Sequence, residues 1–320
     1  MEQILSRFPQ RALRFVFAYG SGVFQQEGNA NVYKNMIDFV FAVDDPVGWH
    51  RENMETNPQH YSSLRLIGPK YISRLQDVAG ARIYYNTLVP CEGRLIKYGV
   101  ISLQSLIDDL LDWETLYVSG RLHKPVLILR RDDEQSGLNL ALSTNLQSAL
   151  HTSLLLLPEQ FSEEDLYITV AGLSYMGDFR MTLGENRDKV RNIVRPSMPR
   201  FRRLYESIMK NEEHLYWNES SRTLEQSLSA VSTYHHLNLL PKSLMFQVVN
   251  ARSADGRHRD TEQVLRSLAN DTECHNVVQS CVSAIVRKSS MSQTAKGLLT
   301  AGLIKSLRYG MSKLKKMWKS

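Results

Sequence analysis

Cysteine is scarce in this chain: Cys91, Cys274 and Cys281 are its only three among 320 residues. They are too few and too scattered for a disulfide framework and fit a reducing compartment. Cys274-His275 with Cys281 also matches no standard zinc spacing. No run approaches the roughly 18–20 consecutive apolar residues needed to span a bilayer. No internal repeat is visible. Acidic residues stop at Glu273, after which Arg287, Lys288, Lys296, Lys305, Arg308, Lys313, Lys315, Lys316 and Lys319 follow. Taking these nine cations from the formal total of +6 leaves residues 1–273 at −3, a mildly acidic body with a basic tail. That asymmetry calls for an anionic partner, a membrane surface or nucleic acid.

What remains is ordinary for a soluble globular protein, with 42% hydrophobic and 22% charged residues. The length suffices for a sizeable core and for two domains. Arg7, Arg11 and Arg14 stand against Glu2 at the N-terminus, but this stretch runs directly into an apolar strand, which gives little support to a transit peptide. Short runs rich in Val, Ile, Phe and Tyr predict strands over 12–19, 36–43, 81–89 and 94–102, with a further short run at 125–129. Ser102 or Ser105 caps a predicted helix over 103–116. The polar patch 130–137 is the best candidate boundary, and beyond it the period becomes helical. Leu142, Leu146, Leu150, Leu154 and Leu157 make one apolar face that Pro158 ends. Ser162 with Asp165, and Phe161 stapling to Leu166, open another helix. Residues 200–209 predict a helix, whereas 211–228 and 250–260 read as polar loops.

The chemistry concentrates near the start. The run Phe15-Val16-Phe17-Ala18-Tyr19 stops at Gly20-Ser21-Gly22, and the next apolar run carries Asp38 inside it. A carboxylate within a buried strand is costly unless a cation meets it. A strand ending in small residues lets backbone N–H groups close on phosphate oxygens. Strand, phosphate-gripping turn and a strand with a metal-holding Asp is the core of a nucleotidyltransferase. Gly20-Ser21-Gly22 alone is a common turn; Asp38 lifts it, against the plainer reading of an Asp satisfied by Arg or backbone. Side chains alternate, so a second ligand on the same face falls at position 40, and Val40 stands there. Asp44, Asp45, Asp77 and Glu92 are the candidates to replace it. Lys97 and the run Arg121-Leu122-His123-Lys124 place cations near strand ends, within reach of a triphosphate. Tyr175-Met176-Gly177-Asp178-Phe179-Arg180 and Gly184-Glu185-Asn186-Arg187-Asp188-Lys189 read either as a salt-bridged loop or as a second domain's side of a cleft. After Gly302, Leu303, Ile304, Leu307, Met311, Leu314 and Trp318 recur at helical spacing among Lys305, Arg308, Lys313, Lys315 and Lys316. Such a basic amphipathic helix suits an anionic bilayer surface, ahead of a partner-binding helix or a solvated tail.

Several strings together are similar to those of the mitochondrial phosphatidate cytidylyltransferase family, also called the translocator assembly and maintenance family. They are Tyr19-Gly20-Ser21-Gly22-Val23-Phe24, Trp49-His50 with Asn57-Pro58-Gln59-His60-Tyr61-Ser62, Lys97-Tyr98-Gly99-Val100, and Gly120-Arg121-Leu122-His123-Lys124-Pro125. Leu173-Ser174-Tyr175-Met176-Gly177-Asp178-Phe179-Arg180-Met181 and Ser283-Ala284-Ile285-Val286-Arg287 extend the resemblance over nearly the whole chain. The resemblance implies an α/β fold, with a nucleotidyltransferase domain on a mixed sheet over 1–130. A mainly helical, winged-helix-like domain over 131–250 and a C-terminal region over 251–320 with the basic tail would follow. It implies transfer of CMP from CTP to phosphatidic acid with Mg²⁺, giving CDP-diacylglycerol and pyrophosphate for cardiolipin synthesis on the matrix face of the inner mitochondrial membrane. Nucleic acid is not an expected partner. On that reading Gly20, Ser21 and Gly22 grip the triphosphate, Asp38 holds Mg²⁺, and Lys97, Arg121 and Lys124 neutralise pyrophosphate or lipid phosphate. Tyr175, Asp178 and Arg180 close the cleft, and the tail holds the enzyme at its lipid. The rival expectations are transfer to RNA or protein, and a non-catalytic scaffold supporting protein import.

Overall fold

Residues 1–27, 33, 35–132, 136–183, 188–221, 223–253 and 260–301 are described by a computed structural model. The basic amphipathic tail, with Lys305, Arg308, Lys313, Lys315, Lys316 and Trp318, lies outside the described residues, as do Gly184 to Arg187.

Five strands build one mixed sheet: β1 (Leu13–Tyr19), β2 (Ile37–Val43), β3 (Ile83–Cys91), β4 (Arg94–Ser102) and β5 (Leu127–Arg131). Their spatial order is β3-β4-β2-β1-β5. β2 and β4 run parallel, and every other pairing is antiparallel. The expected strands are therefore present, each shifted by a residue or two. β1 and β2 read as nearly unbroken apolar runs because both faces are covered. Phe15, Phe17, Val40, Ala42 and Ile101 pack under the helix Leu103–Asp112 and the start of the helix Ser136–Leu154. Val16, Phe39, Phe41, Tyr98 and Val100 pack under Phe8 and Trp49. Full burial of each such side chain contributes about 1.5–3 kcal/mol.

The stretch between β2 and β3 is more regular than its polarity suggests, because two helices, Pro46–Thr56 and Pro69–Val78, lie within it. Asp45 caps the first by accepting from Gly48 N at 2.9 Å. Here the string Trp49-His50…His60-Tyr61 becomes a buried hydrogen-bonded network. His50 Nδ1 lies 2.8 Å from Tyr61 Oη, and its Nε2 lies 3.1 Å from Gln76 Oε1. Asn53 Nδ2 donates to both Tyr61 Oη and Tyr98 Oη, at 2.9 and 3.0 Å. His60 Nδ1 lies 3.1 Å from Tyr98 Oη.

Ser102 caps the helix Leu103–Asp112, accepting from Ser105 N at 3.0 Å. That helix stops four residues short of the expected 116 because Trp113 turns left-handed. The second core is mainly helical, built from Leu150, Leu154, Leu166, Val170, Phe201 and Tyr205 with Val278, Val282 and Ile285. Its capping box is formed: Ser162 Oγ accepts from Asp165 N at 3.0 Å, and Ser162 N donates to Asp165 Oδ2 at 3.1 Å. Residues 211–228 are not loop throughout. They hold the hairpin β7 (Leu215–Asn218) and β8 (Thr223–Gln226), which with β6 (Gln160–Phe161) gives a small sheet of order β6-β8-β7. Short strands alternating polar residues leave little periodic signal.

The helix Cys274–Ala301 belongs to this core at its start and reaches the sheet at its end. Gln293 Oε1 accepts from Ala81 N at 2.9 Å, and Lys296 Nζ donates to Leu75, Gln76 and Ala79 carbonyls at 3.3, 3.1 and 2.6 Å. Lys296 is thus a buried tie between elements, not one more charge of a solvated tail. Among the described residues no helix is long and apolar enough to cross a membrane.

Candidate active site

β2 and β4 run parallel with Asp38 opposite Lys97, which puts Lys97 Nζ 3.5 Å from Asp38 Oδ1. Asp38 is the second residue of its strand and its side chain is 24% exposed. The expectation of a carboxylate deep inside a buried strand is corrected: it sits at the strand's mouth, and Lys97 is the cation that meets it. One step further in, Val40 is fully buried among Phe15, Phe17 and Leu106. An acid there would enter the apolar layer unpaired, which accounts for valine at that position. The four candidates for a second acid are engaged elsewhere. Asp44 pairs with Arg14, Asp45 caps its helix, Glu92 meets Arg7 at 2.6 Å, and Asp77 accepts from Gln76 at 3.3 Å.

The glycine turn lies against this pair. Gly20 has φ +80°, and a side chain there would begin 3.5 Å from Asp38 Oδ2. A Cβ on Gly22 would stand 2.3 Å from the carbonyl oxygen of Met36, so only glycine lets the turn seat on the start of β2. The carbonyl of Ser21 accepts from Asn35 Nδ2 at 3.2 Å. Gly20 thus has a conformational reason, its positive φ, and Gly22 a packing one, and both hold the turn beside Asp38. Lys97-Tyr98-Gly99 divides three ways. Lys97 faces Asp38, Tyr98 faces the buried network, and Gly99 leaves room for Tyr85, whose Cε1 would lie 2.6 Å from a Cβ there. The Tyr85 ring in turn carries Lys97 Nζ at 4.4 Å from its centroid.

Arg121 joins from the short helix Ser119–Leu122 that follows the helix Leu103–Asp112. Its guanidinium carbon lies 4.0 Å from the Tyr117 ring centroid and 5.3 Å from that of Tyr19, and its Nε is a buried donor without a hydrogen-bond partner among the described residues. Asp109 holds the loop between the two helices. Its Oδ1 accepts from Thr115 N at 2.8 Å and Leu116 N at 3.1 Å, and its Oδ2 from Val118 N at 3.2 Å and Ser119 N at 3.0 Å. Asn145 ties the same loop to the helix Ser136–Leu154 through Trp113 Nε1 at 2.9 Å and the Ser119 carbonyl at 3.1 Å. Burial pushes the Tyr117 phenol up, but Arg121, Lys97 and Arg180 outweigh it and hold it at about 8. A phenol lowered in so apolar a setting reports a strongly positive local potential.

The helical layer contributes the remainder. A Cβ on Gly120 would stand 2.4 Å from Ser174 Cβ, so the short helix bearing Arg121 packs directly on Ser174. Lys124 Nζ donates to Ser174 Oγ at 2.9 Å and to the Gly120 carbonyl. Lys124 and Lys189 both lie 5.1 Å from the Tyr175 ring centroid. Burial, then Arg121 and Lys189, pull Lys124 down to about 7. Asp178, itself buried, takes Arg180 Nε at 2.9 Å and Nη2 at 2.5 Å. So clamped, Arg180 feels both Tyr117 and Arg121 electrostatically.

The structure therefore gathers the turn with Asp38, Lys97, Arg121 and Lys124, and brings Tyr175 and Arg180 to the same cationic group. Asp178 faces Arg180 as its clamp. Sequence reasoning missed the tyrosines: Tyr19 and Tyr85 read as strand residues, Tyr117 drew no reading, and only their shared proximity to Arg121 distinguishes them. Asp109 was missed as well, since an acid on a helix face looks like a solvated one.

Chemically, the arrangement presents one half-exposed carboxylate beside several cations and an unpartnered buried guanidinium N–H. Polyphosphate matches the cations, and the orphaned Arg121 Nε is a donor such an anion would satisfy. Magnesium is commonly held by one or two carboxylates plus substrate phosphates, and Asp38 is the carboxylate of this group that could hold such an ion.

A family model described as mitochondrial phosphatidate cytidylyltransferase matches residues 1–316. Proteins of that name from Danio rerio and Xenopus laevis are each 50% identical, over 319 and 321 residues, covering 99% of this chain and 94% of the relative. The protein of that name from Mus musculus is 48% identical over 320 residues, covering 100% of this chain and 94% of the relative. With a match of this extent, the chain belongs to the mitochondrial phosphatidate cytidylyltransferase family.

Proposed function

We propose that this protein transfers CMP from CTP to phosphatidic acid, giving CDP-diacylglycerol and pyrophosphate, a step that feeds cardiolipin synthesis. The observation that carries the reading is the Asp38–Lys97 pair, 3.5 Å apart under the Gly20 turn, with Arg121 and Lys124 nearby. The nucleophile is a phosphate oxygen of the lipid, already anionic at neutral pH, so no strong general base is required. It attacks the α-phosphorus of CTP, the bond to the β-phosphate oxygen breaks, and pyrophosphate leaves with the electron pair. Catalysis is then mostly positioning and charge neutralisation.

In this scheme the turn at Gly20, Ser21 and Gly22 receives the triphosphate. Asp38 is the residue to hold Mg²⁺, which when bound would supply positive charge to the reacting phosphates. Lys97 orients Asp38 and adds charge. Arg121, stacked on Tyr117, offers Nε and its remaining donors to the departing pyrophosphate. Lys124 gains its proton as the anion arrives, and Arg180, held by Asp178, completes the cationic wall with Tyr175 beside it. A helix (Ser136–Leu154), then β6, then a run of helices from Glu163–Gly172 to Met198–Lys210, then the β7–β8 hairpin, with the small sheet ordered β6-β8-β7, supports a winged-helix-like second layer. The acid-free tail supports peripheral attachment to an anionic membrane, on the matrix face of the inner mitochondrial membrane.

Incubation with labelled CTP and either phosphatidic acid or RNA tests the reaction. Label is expected in chloroform-soluble lipid; label in RNA alone would eliminate the reading. Deleting residues 303–320 is expected to weaken flotation with anionic liposomes, most visibly at low salt, and unchanged flotation would refute the tail's role.

A further inference from the structure

Far from the glycine turn in sequence, four side chains of the helical core converge. His151 lies near the end of the helix Ser136–Leu154, Glu212 just beyond the helix Met198–Lys210, and His235 with His236 near the end of the helix Ala230–Asn238. Each offers one ligand atom, and these atoms all lie within 4.8 Å of one another. His151 Nδ1 is 3.0 Å from His236 Nδ1 and 3.6 Å from Glu212 Oε2, while His235 Nε2 is 3.8 Å from Glu212 Oε1. A tetrahedral zinc ion with bonds of about 2.0–2.1 Å sets its ligand atoms about 3.4 Å apart, in the middle of these separations.

The charge balance argues the same way. The Glu212 side chain is only 6% exposed, and among the described residues its ion-pair partners are His151 and His235, with no Lys or Arg. A carboxylate so enclosed calls for a cation. The surroundings are suited to ligand orientation: Ser232 Oγ lies 3.5 Å from the other ring nitrogen of His236, and His214 N donates to Glu212 at 3.2 Å.

We propose that His151, His235, His236 and Glu212 form a structural zinc site that ties together three segments of the helical core. Three imidazoles and one carboxylate select zinc over magnesium or calcium, which prefer oxygen. Four protein ligands leave no open position, which makes the site structural rather than catalytic. Cys274 and Cys281, set two helical turns apart in the helix Cys274–Ala301, take no part.

The test uses the full chain, stripped with chelator and titrated with Co²⁺ and then Zn²⁺. One Co²⁺ per chain is expected, with the visible d–d bands of a tetrahedral ion, displaced stoichiometrically by Zn²⁺, and Zn²⁺ is expected to raise Tm. Changes to outer-shell partners weaken metal sites about 10–100-fold, so His236→Ala and the near-isosteric Glu212→Gln are expected to cost at least about 100-fold in affinity. Asp38→Ala is expected to leave the cobalt bands intact. No tetrahedral spectrum in the full chain, or bands that survive both substitutions, would overturn the proposal. Should both variants fail to fold, X-ray absorption on the zinc-loaded full chain decides: an N/O shell with imidazole scattering supports it, and a sulfur-containing shell overturns it.

Discussion

The two faces of the five-stranded sheet treat their polar side chains differently. On the Trp49 face, His50, Asn53, His60, Tyr61, Gln76 and Tyr98 spend their donors and acceptors on one another inside the protein. On the face of Asp38, cations gather around a part-exposed carboxylate, and Arg121 Nε is buried without a hydrogen-bond partner among the described residues. Both faces carry strings typical of the family, so density of such strings does not separate scaffold from site. The balance of charge does. A network of neutral side chains bonded to one another rigidifies the sheet, whereas an excess of positive charge is an arrangement waiting for an anion.

The largest effect expected from this contrast is at Asp38. Asp38→Ala should lower kcat about 10³-fold, the upper end for loss of one electrostatic stabiliser, while the melting temperature stays near wild type because the side chain is part-exposed. A folded Asp38→Ala protein with near-normal turnover would break the assignment, as would an import phenotype that survives without CDP-diacylglycerol synthesis. Next comes Arg121→Met, which keeps the packing on Tyr117 but removes the charge. A loss of about 10²-fold is expected in turnover, with weaker pyrophosphate inhibition as an independent readout. On the opposite face, Asn53→Ala should do the reverse. It strips partners from the buried hydroxyls of Tyr61 and Tyr98, which should cost about 2–4 kcal/mol in denaturant unfolding. Activity per folded molecule should remain within about twofold of wild type, and a selective loss of activity would erase the distinction between the faces.

The smallest effect is a proton. Lys124, held at about 7 chiefly by burial, lies below its unfolded value, so the unfolded chain binds more protons from about pH 7 to 10.5. This group's contribution to stability therefore rises with pH through that window. A polyphosphate beside it restores the charge, so CTP binding near pH 8 should take up as much as about one proton, with Tyr117 adding a smaller share. Calorimetry in buffers of different ionisation enthalpy measures the uptake, and most of it should disappear in Lys124→Met. Equal uptake in both proteins would place the lysine away from the anion.

Much of this site was legible beforehand because its pieces are local in sequence. A glycine turn after an apolar strand, an Asp in the next one and a Lys before a glycine each announce themselves within a few residues. The capping box at Ser162 and the strand periods were legible for the same reason. Tyr117 and Asp109 were not. Their roles exist only because a left-handed Trp113 turns the chain back so that Asp109 binds its own loop's N–H groups. Likewise, Lys296 counts as one more tail charge until the helix Cys274–Ala301 returns to the sheet and buries it.

Composition and short-range pattern, then, determined the strands, a glycine turn after the first of them, a lone strand carboxylate and a basic end, since propensity, burial period and charge act over neighbouring residues. Which acid stays single, which tyrosines line the cations and where four metal-ligating side chains meet were decided by the tertiary structure. Those depend on contacts between segments tens to hundreds of residues apart, whose register arises only when strands pair and helices pack.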